Sequence, residues 1–302
     1  MSRQHLPSLG ISLTLVAFFV LSLFSALNKY VQEQGFPTSQ VMLFDGIVGA
    51  LCMVAVAWQQ KDLKGLRMKN VPGQVFLMAI NVLAGYCYFK AYPHLPLVTA
   101  YLIAFTGPML ISLLSTVVLK ERMFWQQGAA LVVGFAAVAY SLLAKDDTGA
   151  SILFDPAKLP AILSMGAGTL LFCVAQVTVR KLSDTESTWS FPFYFYIGMI
   201  AISTLFFHSE FIMPGTARHW TLLSLLGVFD AASLAMIYLS LRYAKAATVV
   251  PFQYSGIIWM VIIDLVVWDK PPAVSQMIGA AVLVLAGIYL ATFERKQTRK
   301  KK

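Results

Sequence analysis

The sequence predicts an all-α integral membrane protein of about ten transmembrane helices, arranged as two inverted five-helix repeats. Apolar runs of about twenty residues, the length that a helix needs to cross a bilayer, follow one another along the whole chain. Charged residues make up only 12% of the 302 residues, and the mean hydropathy is +0.72. A soluble domain of this size needs more polar surface, so the chain is expected to lie in a membrane.

Continuous apolar runs define the individual spans. They do not alternate between polar and apolar residues, which favours helices over a β-barrel. The first run is too long for the core of a signal peptide and has no small-residue cleavage site after it, so we expect it to be retained. The predicted spans 1 to 10 cover residues 9–31, 37–58, 71–92, 95–118, 124–144, 159–181, 189–208, 219–243, 246–268 and 273–293.

Basic residues indicate the orientation. If both termini are cytoplasmic, most of the 23 Lys and Arg residues fall on the cytoplasmic side. By the positive-inside rule, this predicts a multi-pass protein of the bacterial inner membrane with both termini in the cytoplasm. The net charge of +9 then reflects orientation and contact between the basic tail and anionic lipid headgroups, and nucleic acid is not an expected partner.

The chain divides at a polar, turn-rich segment, residues 145–151, after the fifth span. We predict a first repeat at 1–147 and a second repeat, with the basic tail, at 148–302. Because five is an odd number, the second repeat crosses the membrane in the opposite direction, as in many secondary transporters. A shift of 151 residues aligns several identical residues: Gly128-Ala129-Ala130 with Gly279-Ala280-Ala281, Tyr92 with Tyr243, Val98 with Val249 and Met109 with Met260.

Each half contains a proline-broken helix, a charged turn and a helix with small residues. The residues that carry this pattern are Thr106-Gly107-Pro108, Lys120-Glu121-Arg122 and Gly134-Phe135 in the first half, and Pro251, Trp268-Asp-Lys-Pro-Pro272 and Gly279 in the second. Over nearly the whole chain the pattern resembles the EamA family of the drug/metabolite transporter superfamily. Two departures weaken any inference about the substrate: Asp45 stands where relatives often have arginine, and Asp269-Lys270 where a Glu-Arg pair is usual.

The resemblance implies several functions within transport. They are export of amino acids or other metabolites, uptake of S-adenosylmethionine or riboflavin, and export of a secreted chelator or metallophore. In the family, the fifth and tenth helices are peripheral, which implies a homodimer through these spans. Small-residue pairs at helical spacing, Ala130 with Gly134 and Gly287 with Ala291, allow close helix contact there.

Motifs for catalysis or for cofactor binding are missing from the sequence. It has no Gly-rich phosphate-binding loop, no His/Cys cluster with metal-ligand spacing and no Gly-x-Ser-x-Gly turn. We therefore expect no enzyme, no cofactor and no metal site. Cys52, Cys87 and Cys173 fall inside spans and are interpreted as small apolar residues.

Ionisable residues within spans are the first candidates for function, since each costs roughly 2.5–3.5 kcal/mol at the centre of a membrane helix. Asp230 lies near the middle of span 8, either as a proton or cationic-substrate site or as a structural hydrogen-bond partner. Lys29 in span 1, beside Asn28, and Asp45 in span 2 form a candidate ion pair that serves either as a gate or as a structural link between the spans. The alternative is that the Lys29 side chain extends to the membrane surface. Asp264, one turn from the end of span 9, is expected to reach water.

Neutral polar and aromatic residues add further candidates. Polar groups that either orient a substrate or bond between helices are Asn81, Gln176 and Gln253. Aromatic groups that either stack on an organic substrate or serve in packing are Tyr86, Tyr101, Tyr238, Tyr254 and Trp259. The candidate hinges, where backbone breaks interrupt spans 4 and 9, are Gly107, Pro108, Pro251 and Gly256.

Together these features predict a secondary active transporter of a small organic metabolite, such as an amino-acid, nucleoside-like or vitamin-like compound. The expected mechanism is alternating access with proton or gradient coupling, through a passage bounded by spans 1, 3, 4, 6, 8 and 9. The alternative outside transport is a non-transporting structural membrane subunit.

Overall fold

The computed structural model describes residues 7–118, 125–144, 151–183, 185–206, 211–244 and 246–300. These residues form twelve α-helices and three short 3₁₀ segments. The helices are α1 (Pro7–Glu33), α2 (Thr38–Gln59), α3 (Val71–Ala91), α4 (Leu97–Ala104), α5 (Gly107–Val118), α6 (Trp125–Leu143), α7 (Leu159–Leu182), α8 (Ser190–Phe206), α9 (Ala217–Tyr243), α10 (Ala246–Gln253), α11 (Ser255–Trp268) and α12 (Val274–Lys300). The predicted Lys120-Glu121-Arg122 turn and linker residues 145–150 lie outside the described residues.

The helices confirm the predicted all-α membrane fold. In the described part of the chain, eight spans are long and apolar enough to cross a bilayer, and α8 and α12 supply two shorter apolar segments. Two of the ten spans are broken: α4 and α5 together form span 4, and α10 and α11 together form span 9.

Contacts at the helix termini define the two ends of the bundle. At the first, the Trp268 indole donates to Glu33, so the ends of α11 and α1 meet. At the second, Arg242 donates to Gln60, so the ends of α9 and α2 meet. We call these the Glu33 end and the Gln59 end, after the last residues of α1 and α2.

Helix packing follows a pseudo-twofold pattern. The first helix of each repeat packs along the third helix of the other, α1 along α9 and α7 along α3. Of the three remaining major pairs, α2 with α8 and α6 with α12 join equivalent helices of the two repeats, and the third joins α2 with α9. Inverted repeats are built in this way. The boundaries 1–147 and 148–302 stay a prediction, because the linker between them is not described.

Glycines of the peripheral helices are used for packing within the chain. Gly134 of α6 faces the Met109 side chain of α5, and Gly287 of α12 faces the Tyr254 ring. Of the four small residues that were associated with a homodimer, the two glycines therefore make room for helices of the same protomer.

Candidate functional site

Three polar side chains meet where α2, α8 and α9 pack together near mid-span. Tyr196 of α8 donates a hydrogen bond through its Oη to Oδ2 of Asp230 on α9, at 2.7 Å. Asp45 of α2 is close enough to interact electrostatically with both residues. All three side chains are buried, and neither carboxylate oxygen of Asp45 has a hydrogen-bond partner among the described residues. We call this group the acidic pocket.

Glycines allow the three helices to approach this closely. A Cβ atom on Gly49 would lie 2.5–2.7 Å from atoms of the Tyr196 ring, so the ring occupies the space that any side chain would take. A Cβ on Gly227 of α9 would lie 3.0 Å from the backbone oxygen of Asp45. The α2 sequence Asp-Gly-Ile-Val-Gly thus places a carboxyl beside a tyrosine and a second carboxyl from other helices.

The two helix breaks meet in the interior. Phe105 separates α4 from α5, and its ring centroid lies 5.2 Å from that of Tyr254, which separates α10 from α11. Phe105 also packs on Phe18 at 6.0 Å and on Tyr101 at 5.5 Å. We call these four rings the aromatic cluster. The cluster therefore brings the broken span of one repeat into direct contact with that of the other.

Predicted hinge residues surround these breaks. Gly107 and Pro108 begin α5 directly after the first break. Pro251 lies inside α10, so the second break comes three residues later, at Tyr254, than the proline itself suggests. The reason is that a proline removes a single helical hydrogen bond, and the short α10 continues beyond it. Gly256 faces the aromatic cluster, where a Cβ would approach three of its rings to 3.2 Å.

A polar cluster closes the Glu33 end. The Lys29 ammonium donates to the backbone oxygen of Leu95 at 2.9 Å and lies 4.5 Å from the centroid of the Trp268 ring. The Trp268 Nε1 in turn donates to Glu33 at 2.8 Å. Lys29 is only 2% exposed. These contacts tie α1 of the first repeat to α11 of the second.

Two predictions about this region are wrong. Lys29 does not pair with Asp45, because the ammonium is already bound at the Glu33 end. Asp264 does not reach water: it is 1% exposed, and its Oδ2 accepts a hydrogen bond from the backbone N–H of Val98 at 2.9 Å. A carboxylate at the start of α4 is favourable because the first N–H groups of a helix lack partners within that helix.

Equivalent halves of spans 4 and 9 are packed unequally. In α4, at the Glu33 end, every side chain from 97 to 103 is buried. In α10, at the Gln59 end, Val249 is the one buried side chain among the described residues. Phe252 is exposed, and the other described side chains are partly exposed. The other two halves do not repeat this contrast: α11 buries Asp264 but exposes Val266 and Val267 near the same end, and α5 is partly exposed beyond Met109. The first half of span 4, at the Glu33 end, is therefore more deeply buried than the first half of span 9, at the Gln59 end.

The remaining predicted residues are dispersed around these features. Asn28 is buried and accepts from Gln32 at 2.6 Å. Single ring contacts involve Tyr238 with Trp189 at 6.2 Å, Trp259 with Phe19 at 4.7 Å, and the Lys90 ammonium with Tyr86 at 5.8 Å. Asn81, Gln176 and Gln253 are half-buried. The structure does not gather these side chains into one cluster with Asp230, and their roles stay predictions.

Tyr196 was not among the predicted site residues. Tyr196 lies in the run Phe191–Tyr196, which was interpreted partly as an interfacial belt, yet its side chain is fully buried. The one sequence signal for it was indirect: two glycines three residues apart in α2, Gly46 and Gly49, which both face Tyr196.

Comparison with known proteins supports the same fold and class. The model of the EamA-like transporter family matches residues 8–143 and 157–293, once in each half. The pseudopaline exporter CntI of Pseudomonas aeruginosa strain UCBPP-PA14 is 25% identical, over 93% of this chain and 95% of its own length. The riboflavin transporter of Vibrio cholerae serotype O1 is 24% identical, over 100% and 99%.

Two further proteins resemble this chain, one over about two thirds of its length and the other over nearly all of it. An S-adenosylmethionine uptake transporter of Rickettsia bellii is 23% identical over 68% of this chain and 67% of its own length. A solved crystal structure of a protein with 18% identity superposes with a TM-score of 0.66, covering 98% of this chain and 99% of that one, which shows a shared fold.

Proposed function

Because the chain belongs to the EamA-like transporter family, we propose that it is a secondary active transporter that moves a small organic metabolite by alternating access between its two repeats. The observation that carries the proposal is the unequal packing of equivalent helix halves. Because α4 is buried and its equivalent α10 is partly exposed, a second conformation in which these two half-helices exchange their packing is the natural counterpart of this one.

The contacts at the Glu33 end are weak enough to open. The link between Trp268 and Glu33 and the bond from Lys29 to Leu95 are hydrogen bonds, each worth about 0.5–3 kcal/mol net. The contact of the ammonium with the indole ring adds about 0.5–2 kcal/mol. A few such contacts separate two conformations by a few kcal/mol, which keeps the minor conformation populated.

The aromatic cluster supports an organic metabolite as the substrate. Its four rings join the helix breaks of both repeats, and a substrate that stacks on such rings would bridge the two moving units. The relatives include an exporter and an uptake transporter, so they support the transport class in either direction.

The proposal also covers the orientation of the protein in the membrane and its assembly. We propose that the protein lies in the inner membrane with both termini in the cytoplasm, which makes the Gln59 end the cytoplasmic end. An apolar groove between α6 and α12 faces outward, and it is the proposed surface for a homodimer. Its lining residues are Trp125, Gln126, Ala129, Ala130, Val133, Val282, Leu285, Ala286 and Tyr289.

Flux through reconstituted protein tests the proposal. Proteoliposomes are loaded with a mixture of amino acids, nucleosides, riboflavin and S-adenosylmethionine, and efflux of each compound is followed by mass spectrometry. We expect saturable loss of one chemical class, absent from protein-free liposomes and reduced in Tyr101→Ala, which removes a ring of the aromatic cluster. No selective efflux or uptake in any class would instead support the non-transporting membrane subunit.

A further inference from the structure

We propose that Asp45 and Asp230 together bind one proton in the acidic pocket, and that this proton holds α2 and α8 against α9. Membership of a transporter family does not by itself imply a proton site at this pair of carboxyl groups. The link between this proton and flux rests on the proposed function, whereas proton binding can be measured without any substrate.

The argument begins with burial. Asp45 is 0% and Asp230 5% exposed, and both oxygens of Asp45 lack a hydrogen-bond partner among the described residues. Removing an ionised carboxylate from water costs several kcal/mol unless it is paired. Two such groups within electrostatic range of each other add repulsion to that cost. A bound cation is therefore needed to keep the three helices in contact.

The surrounding groups do not supply that cation. The titratable side chains near the pocket are Tyr196 from α8, Cys52 from α2, Tyr92 from the short 3₁₀ segment after α3, and Tyr101 from α4. All are neutral hydrogen-bonding groups at neutral pH. In the part of the chain that the structure describes, no Lys, Arg or His is paired with either carboxyl.

The shape of the pocket selects a proton over larger cations. Metal cations such as Ca²⁺ and Mg²⁺ take about six oxygen ligands, and no group of three or more His, Cys, Asp and Glu residues of the described chain converges on one point. An organic cation would need room, but the Tyr196 ring fills the space over Gly49 and the α9 backbone closes on Asp45 at Gly227. A proton needs only one oxygen and an acceptor beside it.

The position of the pocket links proton binding to conformation. α9 packs on α2 through Gly227 and along α1 on its other side, and α1 carries Lys29 at the Glu33 end. When the proton leaves, two negative charges face each other across the contact between α2 and α9. The repulsion favours a conformation in which these helices separate, and α1 is the helix against which α9 must then move.

Infrared spectroscopy on the protein in lipid nanodiscs tests the proposal directly. A protonated carboxylic acid has a carbonyl stretch that a carboxylate lacks, and we expect this band to disappear as the pH is raised. Asp45→Asn and Asp230→Asn should each remove the band. Asp155→Asn, which changes a partly exposed carboxylate that pairs with Lys158, should leave it intact.

Three results would overturn the proposal. The first is a pH-dependent band that is the same in the wild type and in Asp45→Asn. The second is a band that vanishes when NaCl replaces choline chloride at constant pH, because the ligand is then a metal cation. The third is no band at any pH. Tyr196→Phe, which keeps both carboxyls, serves as a second variant: it should retain the band but shift its frequency.

Flux measurements separate this proposal from the proposed function. If proteoliposomes transport a compound but the flux is equal in Asp45→Asn and insensitive to an uncoupler, transport stands and the link between the proton site and transport fails. If the band behaves as expected but no compound moves, the proton site stands and the transport proposal fails.

Discussion

Substitution of Gly227 by alanine should force the acidic pocket apart. The added Cβ would lie 2.6 Å from Cβ of Val48, whereas ordinary contacts begin near 3.4 Å, so α2 and α9 must separate by about 0.8 Å. The backbone nitrogen of Gly49 and oxygen of Asp45, at 2.9 and 3.0 Å, cannot rotate away. Overpacking of this kind costs about 1–3 kcal/mol.

The matched control is Gly166→Ala in α7. Gly166 also lies inside a membrane helix, but no atom outside its own helix and chain neighbours lies within 4 Å of its added Cβ. Both substitutions change helix propensity alike, so this contribution cancels in the comparison. Equilibrium unfolding in mixed micelles should show that Gly227→Ala is less stable than Gly166→Ala by about 1–3 kcal/mol.

A Gly227→Ala variant as stable as the control, with unchanged carboxyl infrared bands, would refute the close contact of α2 with α9. The account of the acidic pocket would then lose its geometric basis, since the pocket depends on that contact.

Three further predictions concern single contacts. Tyr196→Phe removes the hydroxyl that donates to Asp230 and should lower the free energy of unfolding by about 1–3 kcal/mol. Trp268→Phe removes the bond to Glu33 and weakens the contact with the lysine ammonium, which should shift the conformational equilibrium about five-fold towards an open Glu33 end in spin-label distance measurements. Glu186→Ala leaves the two backbone N–H groups at the start of α3 without their acceptor and should lower the unfolding free energy by about 1–3 kcal/mol.

Controls for these predictions change similar side chains that lack the contact. Tyr194→Phe in the same helix as Tyr196 should have little effect on the unfolding free energy. Trp58→Phe changes an indole that is 69% exposed at the opposite end and should leave the equilibrium unchanged. Glu186→Gln keeps an acceptor oxygen and should recover most of the lost stability. Equal effects in variant and control would contradict the assigned contact.

Spans, breaks and carboxylates could be predicted from the sequence because each is a local property. Apolar length defines a membrane helix wherever it lies. Gly107-Pro108 and Pro251 marked the two broken spans, and the second break fell at Tyr254 because one proline removes only one bond. Asp45 and Asp230 were selected because an ionisable group inside a span has a large cost in lipid.

The contact partners of these side chains could not be predicted, because the partners lie on other helices. Lys29 was paired with Asp45 by depth along the membrane, but rotation of α1 turns the ammonium towards Leu95 and Trp268 instead. Tyr196 looked like one aromatic residue among several, and its burial depends on glycines in α2. Asp264 was expected to reach water because it lies close to a helix end. The sequence did not reveal that the start of α4 covers it.

Alternating access between the two repeats is tested most directly by paired distance measurements across both ends of the bundle. In a cysteine-free background, one spin-label pair replaces the exposed residues Gln34 and Lys270 at the Glu33 end, and a second replaces Val117 and Ser183 at the Gln59 end. Each labelled protein is measured in nanodiscs with and without Trp268→Phe. The substitution should lengthen the first distance and shorten the second. Distances that change in the same direction at both ends, or a single unchanged distribution at each, would contradict alternating access.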